Sequence, residues 1–177
     1  TLPISGLATA SHHPEKFVGI HFFSPVEKMK LVEIIRGEKT DDETIARAYD
    51  YVQALGKLPI VVNDSRGFYT SRTFATFVME GAAMLGEGIP APVIENLAMQ
   101  VGMPVGPLAV IDETALTLSV HVLDQTREDF KREGRMYAAS PGELLVERMV
   151  KEFKRGGRAA GGGFYDYPAG QKKMLWP

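Results

Sequence analysis

The sequence predicts an α/β segment followed by an all-α segment, and two features of the chain predict it. Apolar runs rich in Val, Ile and Phe lie at residues 17–23, 31–35 and 58–63, which is typical of buried strands. From Gly67 onward, apolar residues instead repeat at spacings of three and four, which is typical of helices. We therefore expect a domain boundary near residue 63, with sheet material before it and helical material after it.

The helix of the first segment is predicted to begin at Thr40. Thr40 and Glu43 have the spacing of a capping box, in which an N-cap hydroxyl and a later carboxylate satisfy free N–H groups. Apolar residues recur at helical spacing up to Leu55, and Gly56 is expected to end the helix. The order strand, strand, helix, strand predicts that residues 1–63 are the end of a larger sheet domain.

Four helices are predicted in residues 64–167, separated by turns that contain Pro and Gly. They are expected at about 67–85, 91–102, 112–130 and 142–153. Asp112 and Glu113 are interpreted as the start of the third helix, where carboxylates favour the positive end of the helix dipole. The glycines near the carboxyl end are interpreted as a flexible connection into a short strand at 163–167. Residues 168–177 are expected to be a linker or the start of a following segment.

The first two predicted strands carry one histidine, His21, and one carboxylate, Glu33. If these strands form a hairpin centred on Glu27, His21 and Glu33 are directly opposite each other, with Cβ atoms about 5 Å apart. A carboxylate at that separation can fix the tautomer of an imidazole and strengthen it as a general base. The same pair also occurs in sheets as a purely structural contact, so the spacing alone leaves both interpretations open.

Composition excludes several classes of function. The 177 residues are 45% hydrophobic and 24% charged with a net charge of −2, which are ordinary values for a globular protein. The sequence has no basic stripe for nucleic acid and no apolar run long enough to span a bilayer. It contains no cysteine, which excludes disulfides and thiolate zinc sites and leads us to expect a cytoplasmic location. The adjacent His12 and His13 have no second cluster with ligand spacing, so we expect no metal site. Because the chain begins at Thr1 without Met, we expect it to be a piece of a longer protein.

Four motifs follow one another along the chain: GIHFFSPVEKMKLVEIIRG at 19–37, GKLPIVVNDSRGFYTSR at 56–72, VGMPVGPLAVIDE at 101–113 and GRAAGGGFYDY at 157–167. With these motifs the chain resembles the 3-hydroxyacyl-CoA dehydrogenase family, and more narrowly the dehydrogenase part of multifunctional fatty-acid oxidation α subunits. The resemblance implies the C-terminal part of a Rossmann-like NAD-binding domain, followed by a helical C-terminal domain. The dinucleotide fingerprint G-x-G-x-x-G is absent from the sequence, so we expect this segment alone to be inactive.

The resemblance also implies a role for each candidate site residue. His21 matches the base that takes the proton of the substrate's 3-hydroxyl group, and Glu33 matches the carboxylate that orients it. Ser24 stands where the family usually has an asparagine near the nicotinamide ribose, and Ser71 stands where it often has one near the substrate's carbonyl region. The implied reaction is the NAD-dependent oxidation of a 3-hydroxyacyl-CoA to a 3-ketoacyl-CoA in fatty-acid β-oxidation.

The resemblance implies an enoyl-CoA hydratase activity in the same protein, and a thiolase β subunit is a candidate partner. We expect the partial sheet to have an uncovered apolar face and an unpaired edge around residues 17–23 or 58–62. An apolar stripe through Phe74, Phe77 and Met84 adds to it, so we predict self-association, most simply as a two-fold dimer. Two other functions stay open. The helical segment could be a non-catalytic dimerisation or assembly module, which has no need of a His–Glu pair beside a cleft. A His-dependent dehydrogenase for a small hydroxy acid is the other, and the GFYTSR and GGGFYDY motifs argue against it.

Overall fold

In the computed structural model, which describes residues 2–177, the chain forms two compact units. The first unit ends at Thr73 and the second spans Phe74–Pro177. The helices are α1 Ile4–Ala8, α2 Asp42–Ala54, α3 Thr70–Gly86, α4 Ala91–Gln100, α5 Pro107–Thr114, α6 Leu116–Arg132 and α7 Pro141–Lys151. The strands are β1 Gly19–Phe22, β2 Leu31–Arg36, β3 Leu58–Asn63, β4 Tyr165–Asp166 and β5 Met174–Leu175.

The first unit contains a three-stranded sheet in the order β1-β2-β3. β1 and β2 are antiparallel and place His21 opposite Glu33, whereas β2 and β3 are parallel and are joined through α2. Successive side chains of β2 point to opposite faces of the sheet. Val32 and Ile34 pack against α2 on one face, while Ile35 packs against Ile4 and Phe68 in a separate cluster. The strand is therefore covered on both faces, which buries Glu33 completely.

The predicted capping box of α2 is wrong by one residue. The N-cap is Asp41, whose carboxylate accepts a hydrogen bond from the Thr44 N–H group at 2.8 Å. The Thr40 hydroxyl is used elsewhere, because it donates to the Phe17 carbonyl at 2.6 Å and accepts from the Gly37 N–H group at 2.9 Å. A carboxylate is an equally good N-cap, and the hydroxyl ties the helix entry to the preceding loop instead.

The second unit is helical, as predicted, and its core is formed by α3 and α5–α7 together with Phe164. The third predicted helix, 112–130, is wrong, because two helices, α5 and α6, meet at Ala115. Ala115 has a φ of 71°, in the left-handed region that an α-helix cannot contain. The Leu116 N–H group then donates to the Gly156 carbonyl at 3.0 Å, so a tertiary contact replaces the helical hydrogen bond.

Asp112 consequently lies near the end of α5 and not at the start of a helix. Its carboxylate is fully buried and accepts hydrogen bonds from the Phe164 and Tyr165 N–H groups at 2.8 and 2.9 Å, and from the Tyr167 hydroxyl at 3.0 Å. A Cβ atom on Gly163 would lie 2.0 Å from Asp112 Oδ1. The glycine-rich connection is therefore a close fit around a carboxylate, and the expectation of a flexible segment is wrong.

Asp112 has a counterpart in Glu95 of α4, which accepts from the Leu108 N–H group at 2.7 Å and from the Tyr165 hydroxyl at 2.6 Å. Together the two acids hold the start of α5 and the β4 segment, which pairs with β5 as a short antiparallel ribbon. The strand predicted at 163–167 is present as β4, which is shorter than expected. None of the described helices is both long and apolar enough to cross a membrane.

Candidate active site

The structure brings together His21 of β1 and Glu33 of β2. His21 Nδ1 lies 2.8 Å from Glu33 Oε2, and the two side chains are 29% and 0% exposed, respectively. The alternation of side chains along antiparallel strands produces this contact, since the two residues are paired directly in the register. A buried carboxylate thus holds a partly exposed imidazole, which is the arrangement that a general base requires.

Glu33 accepts four hydrogen bonds, two on each carboxylate oxygen. Oε1 accepts from the Tyr69 and Thr70 N–H groups at 3.0 and 2.8 Å, and Oε2 accepts from His21 Nδ1 and from the Thr70 hydroxyl, both at 2.8 Å. Burial alone would raise the pKa of Glu33, but the hydrogen bonds from His21, Thr70 and Tyr69 outweigh it and hold the pKa below its ordinary value. The carboxylate therefore stays ionised beside the histidine.

An unusual backbone path delivers the N–H groups that contact Glu33. Gly67 and Phe68 have φ values of 74° and 48°, both in the left-handed region. This conformation is unfavourable for a bulky residue such as Phe68. Burial of its ring against Ile4 and Ile35 offsets the cost and fixes the turn. The turn directs the first N–H groups of α3 at the carboxylate, which adds the favourable field of a helix N-terminus.

The His21 ring is held on its sides as well as at Nδ1. It makes edge-to-face contacts with Phe23 and Phe68, with ring centroids 4.8 and 5.6 Å away. Among residues 2–177, none makes a hydrogen bond with Nε2. Because a carboxylate accepts the Nδ1 proton, the neutral ring carries its lone pair on Nε2. The site can therefore take a proton from a group that reaches Nε2.

Comparison with known proteins assigns the chain to a family. Residues 67–167 match the model described as the C-terminal domain of 3-hydroxyacyl-CoA dehydrogenase, and residues 1–65 match the model of the NAD binding domain of the same enzyme. The chain belongs to the 3-hydroxyacyl-CoA dehydrogenase family. The family and the fold class predicted from the motifs are therefore confirmed, and so is NAD as the cofactor of the family's first domain.

Named relatives agree with this assignment. A fatty acid oxidation complex subunit alpha from Shewanella loihica is 37% identical over 99% of this chain, which spans 24% of that protein's length. The (S)-3-hydroxybutyryl-CoA dehydrogenase of Ralstonia eutropha is 32% identical, with a TM-score of 0.82 over 95% of this chain and 58% of its own. A 3-hydroxybutyryl-CoA dehydrogenase of Escherichia coli K12 has a TM-score of 0.82 at 28% identity, over 98% of this chain and 36% of its own.

The two serines predicted from the family pattern lie in different surroundings. Ser24 is exposed in the turn that follows β1, and Ser71 is half-buried as the second residue of α3. Within the described residues, neither hydroxyl makes a hydrogen bond with His21 or Glu33. Their roles in binding cofactor and substrate stay predictions, as do the catalytic roles of His21 and Glu33.

Sequence reasoning missed Phe68, Tyr69 and Thr70, although all three build the site. Tyr69 and Thr70 are 36 and 37 residues from Glu33, so the periodicity of the strands says nothing about them. One signal was available. A predicted helix that begins just after Gly67 leaves unpaired N–H groups at its start, and a buried acid on a neighbouring strand is a natural acceptor for them.

Proposed function

We propose that the protein to which this chain belongs oxidises 3-hydroxyacyl-CoA to 3-ketoacyl-CoA with NAD. The observation that carries this proposal is the His21–Glu33 pair, with a buried acid on Nδ1 and an Nε2 atom that no described residue occupies. As the chain spans only 24% of the Shewanella loihica subunit, the activity of the whole protein is inferred from this site and from the family.

In the proposed reaction, His21 Nε2 takes the proton of the substrate's 3-hydroxyl group while the C3–O bond becomes a carbonyl. When NAD is bound, it supplies the acceptor for the hydride that leaves C3. Glu33 stabilises the imidazolium that forms, since its negative charge lies 2.8 Å from Nδ1. The backbone N–H groups of Tyr69 and Thr70 keep the carboxylate in place during the transfer.

In this proposal, the nicotinamide end of NAD lies near Ser24. The exposed hydroxyl of Ser24 follows the strand of His21 and can hydrogen-bond to the nicotinamide ribose. The run Gly161–Gly163 does not fit the pyrophosphate, because the space beside Gly163 is filled by the Asp112 carboxylate, which would repel a phosphate. In this proposal Ser24 binds near the nicotinamide, and Ser71 binds the substrate near its carbonyl group.

The test uses the intact purified protein with NAD and a 3-hydroxyacyl-CoA, and follows the absorbance of reduced nicotinamide. A free 3-hydroxy acid without CoA is the matched control, because it distinguishes a CoA-dependent enzyme from a dehydrogenase of small hydroxy acids. We expect turnover with the thioester and little with the free acid. Equal turnover with both substrates, or none with the thioester, would refute the proposal.

We further propose that the protein is cytoplasmic, carries enoyl-CoA hydratase activity as well, and assembles with a thiolase β subunit. The name of the Shewanella loihica relative, which describes the subunit of a complex, supports the assembly. Exposed apolar side chains at Leu97 and Val101, 51% and 81% exposed, support a homo-oligomer. Sedimentation of the protein alone tests self-association, and a single monomeric species at all concentrations would contradict it.

A further inference from the structure

We propose that the hydroxyl group of Thr70 is a positioning group for the oxidation, and that it sets how strongly Glu33 holds the protonated His21. This inference deepens the proposed function and rests on it. It assigns to a threonine side chain a role beyond starting α3.

The inference stands on the atom that Thr70 and His21 share. Glu33 Oε2 accepts from His21 Nδ1 and from Thr70 Oγ1, both at 2.8 Å. The N–H group of Thr70 contacts the other oxygen, Oε1, also at 2.8 Å. Thr70 thus holds both oxygens of the carboxylate and fixes the plane in which Oε2 meets the imidazole.

No water can take the place of the Thr70 hydroxyl without rearrangement. The Glu33 side chain is 0% exposed, and a carboxylate has about four acceptor positions, all of which are filled by the four donors present. A residue of the same shape without the hydroxyl would leave one acceptor position of Oε2 empty. His21 would then be the remaining donor to Oε2.

The expected consequence has a definite sign. A hydroxyl that donates to Oε2 draws negative charge from that oxygen, so it weakens the attraction between Oε2 and a positively charged imidazolium. Without the hydroxyl, Glu33 would stabilise the imidazolium more strongly. His21 would then stay protonated up to a higher pH and would be unable to act as a base over part of the working range. The threonine therefore keeps the base available.

The experiment compares Thr70→Val, which keeps the shape and removes the hydroxyl, with Thr70→Ser, which keeps the hydroxyl. Thr73→Val is the matched control, because the Thr73 hydroxyl lies on the same helix and donates to the Tyr69 carbonyl at 3.0 Å. The pH profile of kcat/KM for oxidation is measured in the intact protein. In Thr70→Val the acidic limb should move to higher pH by roughly half to one unit, the size that one hydrogen bond supports. In Thr70→Ser and Thr73→Val it should stay near the wild-type position.

A second readout separates this inference from the proposed function. The ring resonances of isotope-labelled His21 are titrated by NMR in the same intact variants without substrate. If the midpoint moves upward in Thr70→Val alone, the hydroxyl controls the histidine, even for a protein that oxidises no 3-hydroxyacyl-CoA. An unchanged or lowered midpoint in Thr70→Val would overturn the inference, and so would an equal shift in Thr73→Val, while leaving the proposed oxidation intact.

Discussion

Glu33 in the first unit and Asp112 in the second are both completely buried carboxylates, yet only Glu33 is held against an imidazole. Each accepts two backbone N–H groups and one hydroxyl group, from Tyr69 and Thr70 in one case and from Phe164, Tyr165 and Tyr167 in the other. Glu33 has one further partner, His21, whose ring is 29% exposed. The chemical role that we propose for Glu33 rests on this difference, because the His21 ring can exchange a proton with a group outside the protein.

The two carboxylates also differ in charge stabilisation. Hydrogen bonds from His21, Thr70 and Tyr69 outweigh burial and lower the pKa of Glu33. For Asp112, burial outweighs the bonds from Phe164, Tyr165 and Tyr167 and raises the pKa. The first arrangement favours an anion that can stabilise an imidazolium, whereas the second is an acceptor site that orders a loop.

The largest expected effect is a loss of turnover that is confined to the His21–Glu33 site and does not occur at Asp112. His21→Ala should lower kcat by at least about a hundredfold, because it removes the proposed general base. NAD binding should change little, whereas some stability should be lost, because the buried Glu33 carboxylate loses the hydrogen bond from His21. Steady-state kinetics, NAD titration and thermal unfolding of the intact protein measure these quantities. Unchanged turnover would remove His21 from the mechanism.

At the second carboxylate, Asp112, we expect a loss of stability without a loss of turnover. Asp112→Asn should lower the free energy of unfolding by about 2 kcal/mol, because an amide NH₂ group would face buried N–H or O–H donors. Turnover per folded molecule should stay within about twofold of wild type, since no reacting group touches Asp112.

Tyr167→Phe is the matched control for this change. It removes the 3.0 Å hydroxyl contact but leaves the carboxylate, and a single hydrogen bond is worth about 1 kcal/mol. Denaturant unfolding of both variants gives the comparison. A larger loss of stability in Tyr167→Phe than in Asp112→Asn would contradict the structural role assigned to the acid.

A smaller effect concerns the dependence of stability on pH. The lowered pKa of Glu33 contributes stability that is present above its ordinary value of 4.5 and is lost as the pH falls through the lower value of the folded state. The raised pKa of Asp112 acts in the opposite sense, since its contribution is lost as the pH rises above 3.8 through the folded value.

The test measures the free energy of unfolding across acidic pH in Glu33→Gln and Asp112→Asn. The slope of this free energy against pH should change in opposite directions in the two variants. Relative to wild type, Glu33→Gln should lose stability less steeply as the pH falls, and Asp112→Asn should lose it more steeply. Each difference is bounded at about 1.4 kcal/mol per pH unit, the value for one proton. Slopes that change in the same direction would contradict the opposite pKa shifts of Glu33 and Asp112.

The same comparison shows what the sequence can predict. The pairing of His21 with Glu33 follows from local alternation in a hairpin, and so the sequence is sufficient to predict it. Thr70 reaches Glu33 across 37 residues and Asp112 reaches Phe164 across 52, and neither contact leaves a periodic trace. Both depend on left-handed or glycine-containing turns whose conformation is decided by tertiary packing, as at Phe68 and Gly163.

The break at Ala115 has the same origin. Residues 112–130 have a continuous helical pattern, and helix propensity alone predicts one helix. The Gly156 carbonyl accepts from the Leu116 N–H group, and Leu116 is completely buried, so tertiary contacts override the local pattern. The sequence pattern therefore places Asp112 at a helix start, whereas its true position depends on a break that is set elsewhere in the chain.

The most direct test of the account is a double-mutant cycle of His21→Ala, Glu33→Gln and the combined variant, with kcat for 3-hydroxyacyl-CoA oxidation as the measurement. If Glu33 acts through His21, it has nothing left to act on once the imidazole is removed. The double variant should then be about as slow as His21→Ala alone. Two losses that multiply would contradict the account, because they would show that Glu33 contributes independently of the histidine 2.8 Å away.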